Sequence, residues 1–174
     1  MEIVHTARAD SPIGTLRVAS TTAGLAYVEL PHASGRGLDG WRRRCLPEAR
    51  CVEGFAPNRH AIKQILEYLE GKRVEFDLDL DLHGTAFQMD VWTSLRDIPY
   101  GETRSYAQLA KTVGRPNAVR AVGTANGANP LSLVVPCHRV INSDGKLGGY
   151  GGGLALKRRL LAMEKSGPSQ RRLL

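Results

Sequence analysis

The stretch VVPCHRVI, residues 134–141, sets a thiol, an imidazole and a guanidinium on three successive positions, Cys137, His138 and Arg139. A proline and an apolar run precede them. Three roles compete for Cys137: a buried structural thiol, a metal ligand, or a nucleophile. A free thiol has a pKa of about 8.5, so a nucleophile needs a base within hydrogen-bond reach or through one water. His138 is adjacent, yet neighbouring side chains on an extended strand point to opposite faces. Contact therefore needs a bend after Pro136 or a bridging water. The base in turn wants an anion to orient it and stabilise its charged form. Glu164, on an amphipathic final helix that must pack back on the domain, is the candidate. On these residues alone, a buried thiol beside a surface histidine stays open as the alternative.

The other cysteines do not complete a metal site. Cys45 and Cys51 flank Pro47 at a spacing too loose for a CxxC pair, and no HxxxH pair accompanies them. No metal and no cofactor is expected. An odd set of three cysteines suits a reducing compartment. No run of about 18 apolar residues announces a membrane span, and MEIVHTARADSPIG lacks the basic start and apolar core of a secretory signal. A cytoplasmic location is the expectation.

The elements that must position Cys137 fall into two halves. Residues 1–83 hold 11 Lys and Arg against 12 Asp and Glu, a net of −1; residues 84–174 hold 13 against 5, a net of +8. The whole basic excess thus lies in the second half, which favours a polyanion as partner over a merely solvated surface. The first half, 1–83, reads as a small α/β domain. IGTLRVA (13–19) and LAYVEL (25–30) alternate as a hairpin, residues 31–57 read as an irregular connection, Ala61, Ile62, Ile65, Leu66 and Leu69 recur at helical spacing before Gly71, and VEFDLDLDL alternates as a half-buried strand.

The second half, 84–174, reads as mainly helical. Thr85 can cap a helix burying Phe87, Val91, Trp92 and Leu95. Ser105 with Gln108 makes a capping box for the next helix, Gly114 and Pro116 turn the chain, and Pro116 or Asn117 opens NAVRAVGTAN. Two short helices about a tight turn form a helix–turn–helix. The second helix carries Ala118, Ala121, Gly123, Thr124 and Ala125, with Arg120 its one long polar side chain. Glycine costs a helix about 1 kcal/mol relative to alanine, so something should need the missing side chain at Gly123. A helix reading bases in the major groove would carry Asn, Gln or several Arg; this one is suited to shape and insertion, or simply to close helix packing. LSLVV then reads as an apolar strand leading into Pro136, Asp144-Gly145 as a hairpin turn, and GGYGGG as a loop whose backbone can approach a ligand. LALKRRLLAMEK is the last helix, with Leu156, Leu160 and Met163 on one face, and GPSQRRLL a frayed tail. The class is α/β (α+β): a sheet-plus-helix domain, then a winged-helix-like helical domain.

The residues PCHRVI, preceded by ANP and followed by GGYGGG and LLAMEK, resemble the alkylguanine-DNA alkyltransferases, also called methylated-DNA–protein-cysteine methyltransferases. The resemblance is dense over 84–166, through FQMDVWTSLRDIPYGETRSYAQLA and VRAVGTA, and looser before it, through SPIGTL and the acidic strand. It implies stoichiometric transfer of an alkyl group from O6 of guanine, and from O4-alkylthymine, to Cys137, with the protein consumed. His138 would take the thiol proton through a water and Glu164 would hold His138. Tyr106 would protonate the departing base, and Asn129 would tie the helix–turn–helix to the active-site strand. Val140, Tyr150, Gly151 and Gly152 would line the pocket. Arg120 would fill the space of the extruded nucleotide, with Ser105, Ala118, Gly123 and Thr124 on the DNA-binding face. The implied partner is double-stranded DNA bearing O6-alkylguanine, met by a monomer in the minor groove, where readout is degenerate. Flipping the base costs a few kcal/mol. Gly151 stands where some relatives have serine, and no Cys/His set matches the zinc ligands of some relatives' N-terminal domains. Rival readings are a lesion-binding protein without repair, which would lack Cys137; a Cys-His thiol hydrolase, which would not need a basic helical half; and a helix–turn–helix regulator, which would need base-reading side chains.

Overall fold

A computed structural model describes residues 1–33 and 35–168. The N-terminal half is built on a four-stranded sheet of order β3-β2-β1-β4. Strands β1 (Ile3–Ser11), β2 (Gly14–Ser20) and β3 (Leu25–Glu29) form an antiparallel meander, and β4 (Arg50–Glu53) adds to β1 in parallel. A parallel neighbour requires a crossover, and helix α1 (Gly37–Cys45) supplies it. Residues 31–57 are therefore not the irregular connection that their Gly, Arg and Pro content predicts. Leu38 and Trp41 bury the inner side of α1 against the sheet, so two apolar anchors outweigh a poor helical composition.

Helix α2 (Arg59–Leu69) turns Ala61, Ile62, Ile65, Tyr68 and Leu69 inward. Burying each Ile or Leu stabilises by about 1.5–3 kcal/mol. Gly71, at φ 74°, ends it: its N–H bonds to the Tyr68 carbonyl and that of Lys72 to Glu67, the left-handed closure that glycine adopts without strain. The alternating segment after it is extended but joins no sheet. It meets the edge of β3 in an isolated bridge at Leu80, where Leu25 N donates to Asp79 O and Leu25 O accepts from Asp81 N.

Helix α3 (Ala86–Arg96) starts at a capping box between Thr85 and Gln88, and α4 (Tyr106–Thr112) at one between Ser105 and Gln108. Gly114, at φ 75°, closes α4, and α5 runs Val119–Gly127. It begins later than Pro116 or Asn117, because Ala118 first closes a turn on Arg115. A two-residue parallel pairing of β5 (Arg104–Ser105) with β6 (Val140–Ile141) links the helix–turn–helix to the residues after Cys137. Asp144-Gly145 forms a tight turn, with Gly145 bonding to Asn142, but no strand hairpin forms around it. Helix α6 (Leu154–Ser166) closes the chain. Of the predicted frayed tail, residues 169–174 lie outside the described ones.

The halves share one core. Leu16, Val18 and Val28 of the sheet and Ile65 and Tyr68 of α2 belong to the same buried cluster as Trp92, Leu109, Val122, Leu131, Val135, Cys137 and Leu160. Val28 donates a backbone bond to Pro130, so the edge of the sheet grips the loop that leads to Cys137.

Candidate active site

Residues 131–135 are apolar apart from Ser132, yet they form no strand. Leu131 makes a single bridge to Val28, and Leu133 takes φ 74°. A buried branched residue in the left-handed region costs on the order of 1–3 kcal/mol and persists only when its surroundings fix it. Asn129 does so here. Its Oδ1 accepts from Leu131 N at 2.9 Å, and its Nδ2 donates to Val135 O at 2.8 Å, closing both ends of the loop. Pro136 follows with φ −82° and ψ 65°, and Cys137 N bonds to Val135 O at 2.8 Å. This is an inverse γ-turn, the bend that the Pro-Cys-His order calls for. Cys137–Arg139 then form one 3-10 turn, so the thiol and imidazole no longer alternate across a strand.

Cys137 is 6% exposed and forms part of the wall of a cavity of about 420 Å³. Tyr106, Gly123, Asn126, Asn129, Tyr150 and Gly151 share that wall. Burial raises the thiol pKa; the Asn129 side chain and the Lys157 charge act the other way. The resting group is thus a thiol that needs a base. Tyr106, first residue of α4, is held above the usual phenol value by burial and by the Cys137 charge, against a hydrogen bond with Asn126. It is a protonated donor in the cavity wall.

Behind Cys137 the site is closed and ionic. His138 Nε2 lies 2.7 Å from Glu164 Oε2, and both residues are buried. Arg139 reaches the same carboxylate with Nε at 2.7 Å from Oε1 and a terminal nitrogen at 3.1 Å from Oε2, and donates to Ile98 O. Gly101 N adds a bond of 3.3 Å to Oε1, and the Tyr68 hydroxyl one of 2.5 Å to Oε2. Burial works to raise the Glu164 carboxyl, but the hydrogen bonds and charges of His138 and Arg139 prevail and hold it at about 2. An ionised carboxylate only accepts, so His138 carries its proton on Nε2. His138 Nδ1, buried and without a protein partner, is then the basic nitrogen. Burial lowers the imidazole pKa, with Glu164 opposing, so it is neutral and able to take a proton at pH 7.

Lys157 is the residue that sequence reasoning missed most completely. Its side chain is fully buried, and Nζ donates to the carbonyls of Val140, Leu147 and Gly149 at 2.6, 2.5 and 3.1 Å. The ammonium clips the glycine loop onto the chain beyond Cys137. Burial pulls its pKa down to about 8, against the Cys137 charge, leaving it a cation at neutral pH. A lysine on the inner side of an amphipathic helix was the available signal. Tyr68 and Asn126 were also passed over; each is a polar side chain at a buried helical position.

Two predicted pocket residues lie outside the cavity wall. Val140 is wholly buried and contributes its carbonyl to Lys157 instead. Gly152 packs inward: a Cβ there would come within 2.8 Å of Leu30 and 2.9 Å of Leu156. Gly151 borders the cavity, and a Cβ on it would meet nothing within 4 Å. On the outer face, Arg120 and Thr124 are exposed and Ala118 half-buried, while the Thr124 hydroxyl donates to Arg120 O. The Ser105 oxygen is taken by the α4 cap, leaving its hydrogen to donate outward. At Gly123 a Cβ would lie 3.8 Å from Tyr106, an ordinary contact, so packing within the protein does not demand glycine there.

Family models match the sequence across nearly the whole chain. Residues 4–82 match the ribonuclease-like domain of 6-O-methylguanine DNA methyltransferase, and residues 86–166 its DNA binding domain. The methylated-DNA–protein-cysteine methyltransferase of Mycobacterium bovis is 44% identical over 164 residues, covering 94% of each chain, and that of Methanosarcina barkeri is 44% identical over 157 residues, covering 90% of this chain and 94% of the relative. The crystal structure of Mycobacterium tuberculosis OGT in complex with DNA superposes with a TM-score of 0.81 at 43% identity, over 97% of this chain and 98% of that one. Matched along both halves by these models and at 44% identity by these relatives, the chain belongs to the 6-O-methylguanine DNA methyltransferase family.

Proposed function

We propose that this protein repairs alkylated DNA by direct reversal, accepting the alkyl group of O6-alkylguanine on Cys137. The carrying observation is the placement of the Cys137 thiol in the cavity wall beside Tyr106, with the His138–Glu164 pair sealed behind it. The thiol proton passes to His138 Nδ1 through a bridging water. Sulfur attacks the alkyl carbon; the S–C bond forms as the O6–C bond breaks, and its electrons return to the guanine ring. The Tyr106 hydroxyl protonates the ring, so that a neutral base leaves. The thioether cannot be undone by these groups, so each molecule acts once. O4-alkylthymine presents the same alkyl–oxygen bond and is a second substrate.

Residues 84–174 form the DNA-binding and acceptor unit and residues 1–83 the supporting one, in a monomer acting in the cytoplasm. Arg120, exposed on α5, enters the base stack in place of the extruded nucleotide, while Ala118, Gly123 and Thr124 let the helix press into the minor groove. Ser105 donates to a phosphate, and the basic surface of this half holds the backbone. Asn129 shapes the loop that presents Cys137, and Tyr150 and Gly151 border the base. Mass spectrometry after incubation with a duplex carrying O6-methylguanine tests the reading. One added methyl on Cys137, with stoichiometric loss of activity, is expected; release of methyl with repeated turnover would refute it.

A further inference from the structure

Tyr68 lies in the N-terminal half, 70 residues from His138 and 96 from Glu164 in sequence, yet its hydroxyl reaches both. The side chain is fully buried near the end of α2, with its ring 5.4 Å from that of Phe76 and edge-on to Tyr100 at 6.3 Å. Its oxygen is 2.5 Å from Glu164 Oε2 and 3.2 Å from His138 Nε2. The imidazole is itself 2.7 Å from Oε2 and an Arg139 nitrogen lies 3.1 Å from it, so donors from both halves of the molecule converge on one oxygen. An ionised carboxylate has no proton to give, so the phenol must donate. Burial and the Glu164 charge hold the phenol well above its ordinary value, which keeps that donor protonated.

We infer that Tyr68 is a positioning residue for the transfer reaction: its hydroxyl pins Glu164 Oε2 opposite His138 Nε2 and shares the carboxylate's charge with the imidazole. The inference rests on the alkyl-transfer reading and adds to it a role for the N-terminal half. A carboxylate oxygen shared with a phenol draws less strongly on the imidazolium than an unshared one. His138 therefore sheds its proton at lower pH and stands ready as a base. Other groups act on the same pair. Arg139 binds both carboxylate oxygens and Gly101 N binds Oε1; Lys157 on α6 bears on the imidazole; Cys137 adjoins it; Tyr150 faces it ring to ring at 6.4 Å. Tyr100 lies under the Arg139 guanidinium at 5.7 Å. Arg139 also donates to Oε2, at 3.1 Å, but as a charged group of the same turn as His138; Tyr68 is the neutral donor that the N-terminal half brings to that oxygen.

The test is single-turnover methyl transfer from an O6-methylguanine duplex to the full-length protein across pH, for wild type and Tyr68→Phe. Phenylalanine keeps the ring and removes the donor alone. The variant is expected to transfer about tenfold more slowly at neutral pH, a fraction of what a general base supplies. The rising limb of its profile should move to higher pH by about half a unit or more. DNA affinity should be unchanged. A variant with the wild-type rate and limb, or one slowed equally at every pH in step with lost thermal stability, overturns the inference. Proton NMR of wild type gives a second measurement that does not depend on the variant folding: a far-downfield hydroxyl proton on Tyr68, protected from exchange, is expected, and its absence would also overturn it. Wild type that never gains a methyl on Cys137 would instead defeat the transfer reading itself.

Discussion

The two flanks of Cys137 are built on opposite principles. Toward α6 the site is closed: His138, Arg139, Lys157 and Glu164 are all buried, and their charges are met within the protein. Toward α5 it is open: Arg120, Ala121 and Thr124 are exposed, small or singly charged, and make little demand on the fold. The closed flank sets protonation states, and the open flank is free to be shaped by a partner. Stability and chemistry should therefore be coupled on one side and separable on the other.

The largest break in that contrast is expected from Glu164→Ala. It strips the shared acceptor from His138 and Arg139 and leaves a buried guanidinium without its anion, which costs about 3–5 kcal/mol. Thermal unfolding should show this, and transfer should fall with it. Acid sharpens the same point. The Glu164 carboxyl sits at about 2 in the fold against 4.5 outside it. Its contribution is complete above the unfolded value and is lost as pH falls from about 5 toward 2, a swing on the order of 3 kcal/mol. His138, lowered by burial, acts in the same direction at higher pH, since the unfolded chain binds its proton first. Chemical denaturation across this range should reveal a steep acid limb that flattens in Glu164→Gln.

Lys157→Met is expected to cost about 2 kcal/mol, because three carbonyls lose their donor. Hydrogen exchange should rise over residues 147–153, and the transfer rate should fall with the loosened loop. On the open flank the signs separate. Gly123→Ala should stabilise the helix by about 0.5–1 kcal/mol, since the fold has room for the methyl, while weakening duplex binding in a gel-shift titration. A loss of stability would show that the protein itself needs the glycine. Arg120→Ala should change stability by less than about 0.5 kcal/mol. Repair in duplex should drop, and transfer from the free base should not. Equal losses on both substrates would remove the proposed role in base extrusion.

Much of the open flank was legible in residue order, because its signals are local. The Thr85 cap, the Ser105 capping box and the small-residue composition of α5 are all properties of short windows. The N-terminal half was less so. Helix α1 and strand β4 fall where Gly, Pro and Arg suggest a loop; burial of Leu38 and Trp41 and pairing of β4 with β1 outweigh those local preferences. The opposite failure occurs at 74–82 and 131–135. Both stretches have strand-like composition, but neither finds a continuous partner edge, and Leu131–Val135 is instead wound into a loop by Asn129.

Residue types and spacing alone marked Cys137, His138 and Glu164 as candidates for nucleophile, base and orienting anion, because such groups are recognised by their chemistry wherever they lie, and left a buried thiol beside a surface histidine as the alternative. Only the tertiary structure decided what faces them. Tyr68 from α2, Lys157 from α6 and the Arg139 fork meet at this point because one core joins the two halves. A hydrogen bond spanning 96 residues leaves no mark in any short window. It arises when the packing of helices and sheet brings a third donor to an oxygen that His138 and Arg139 already share.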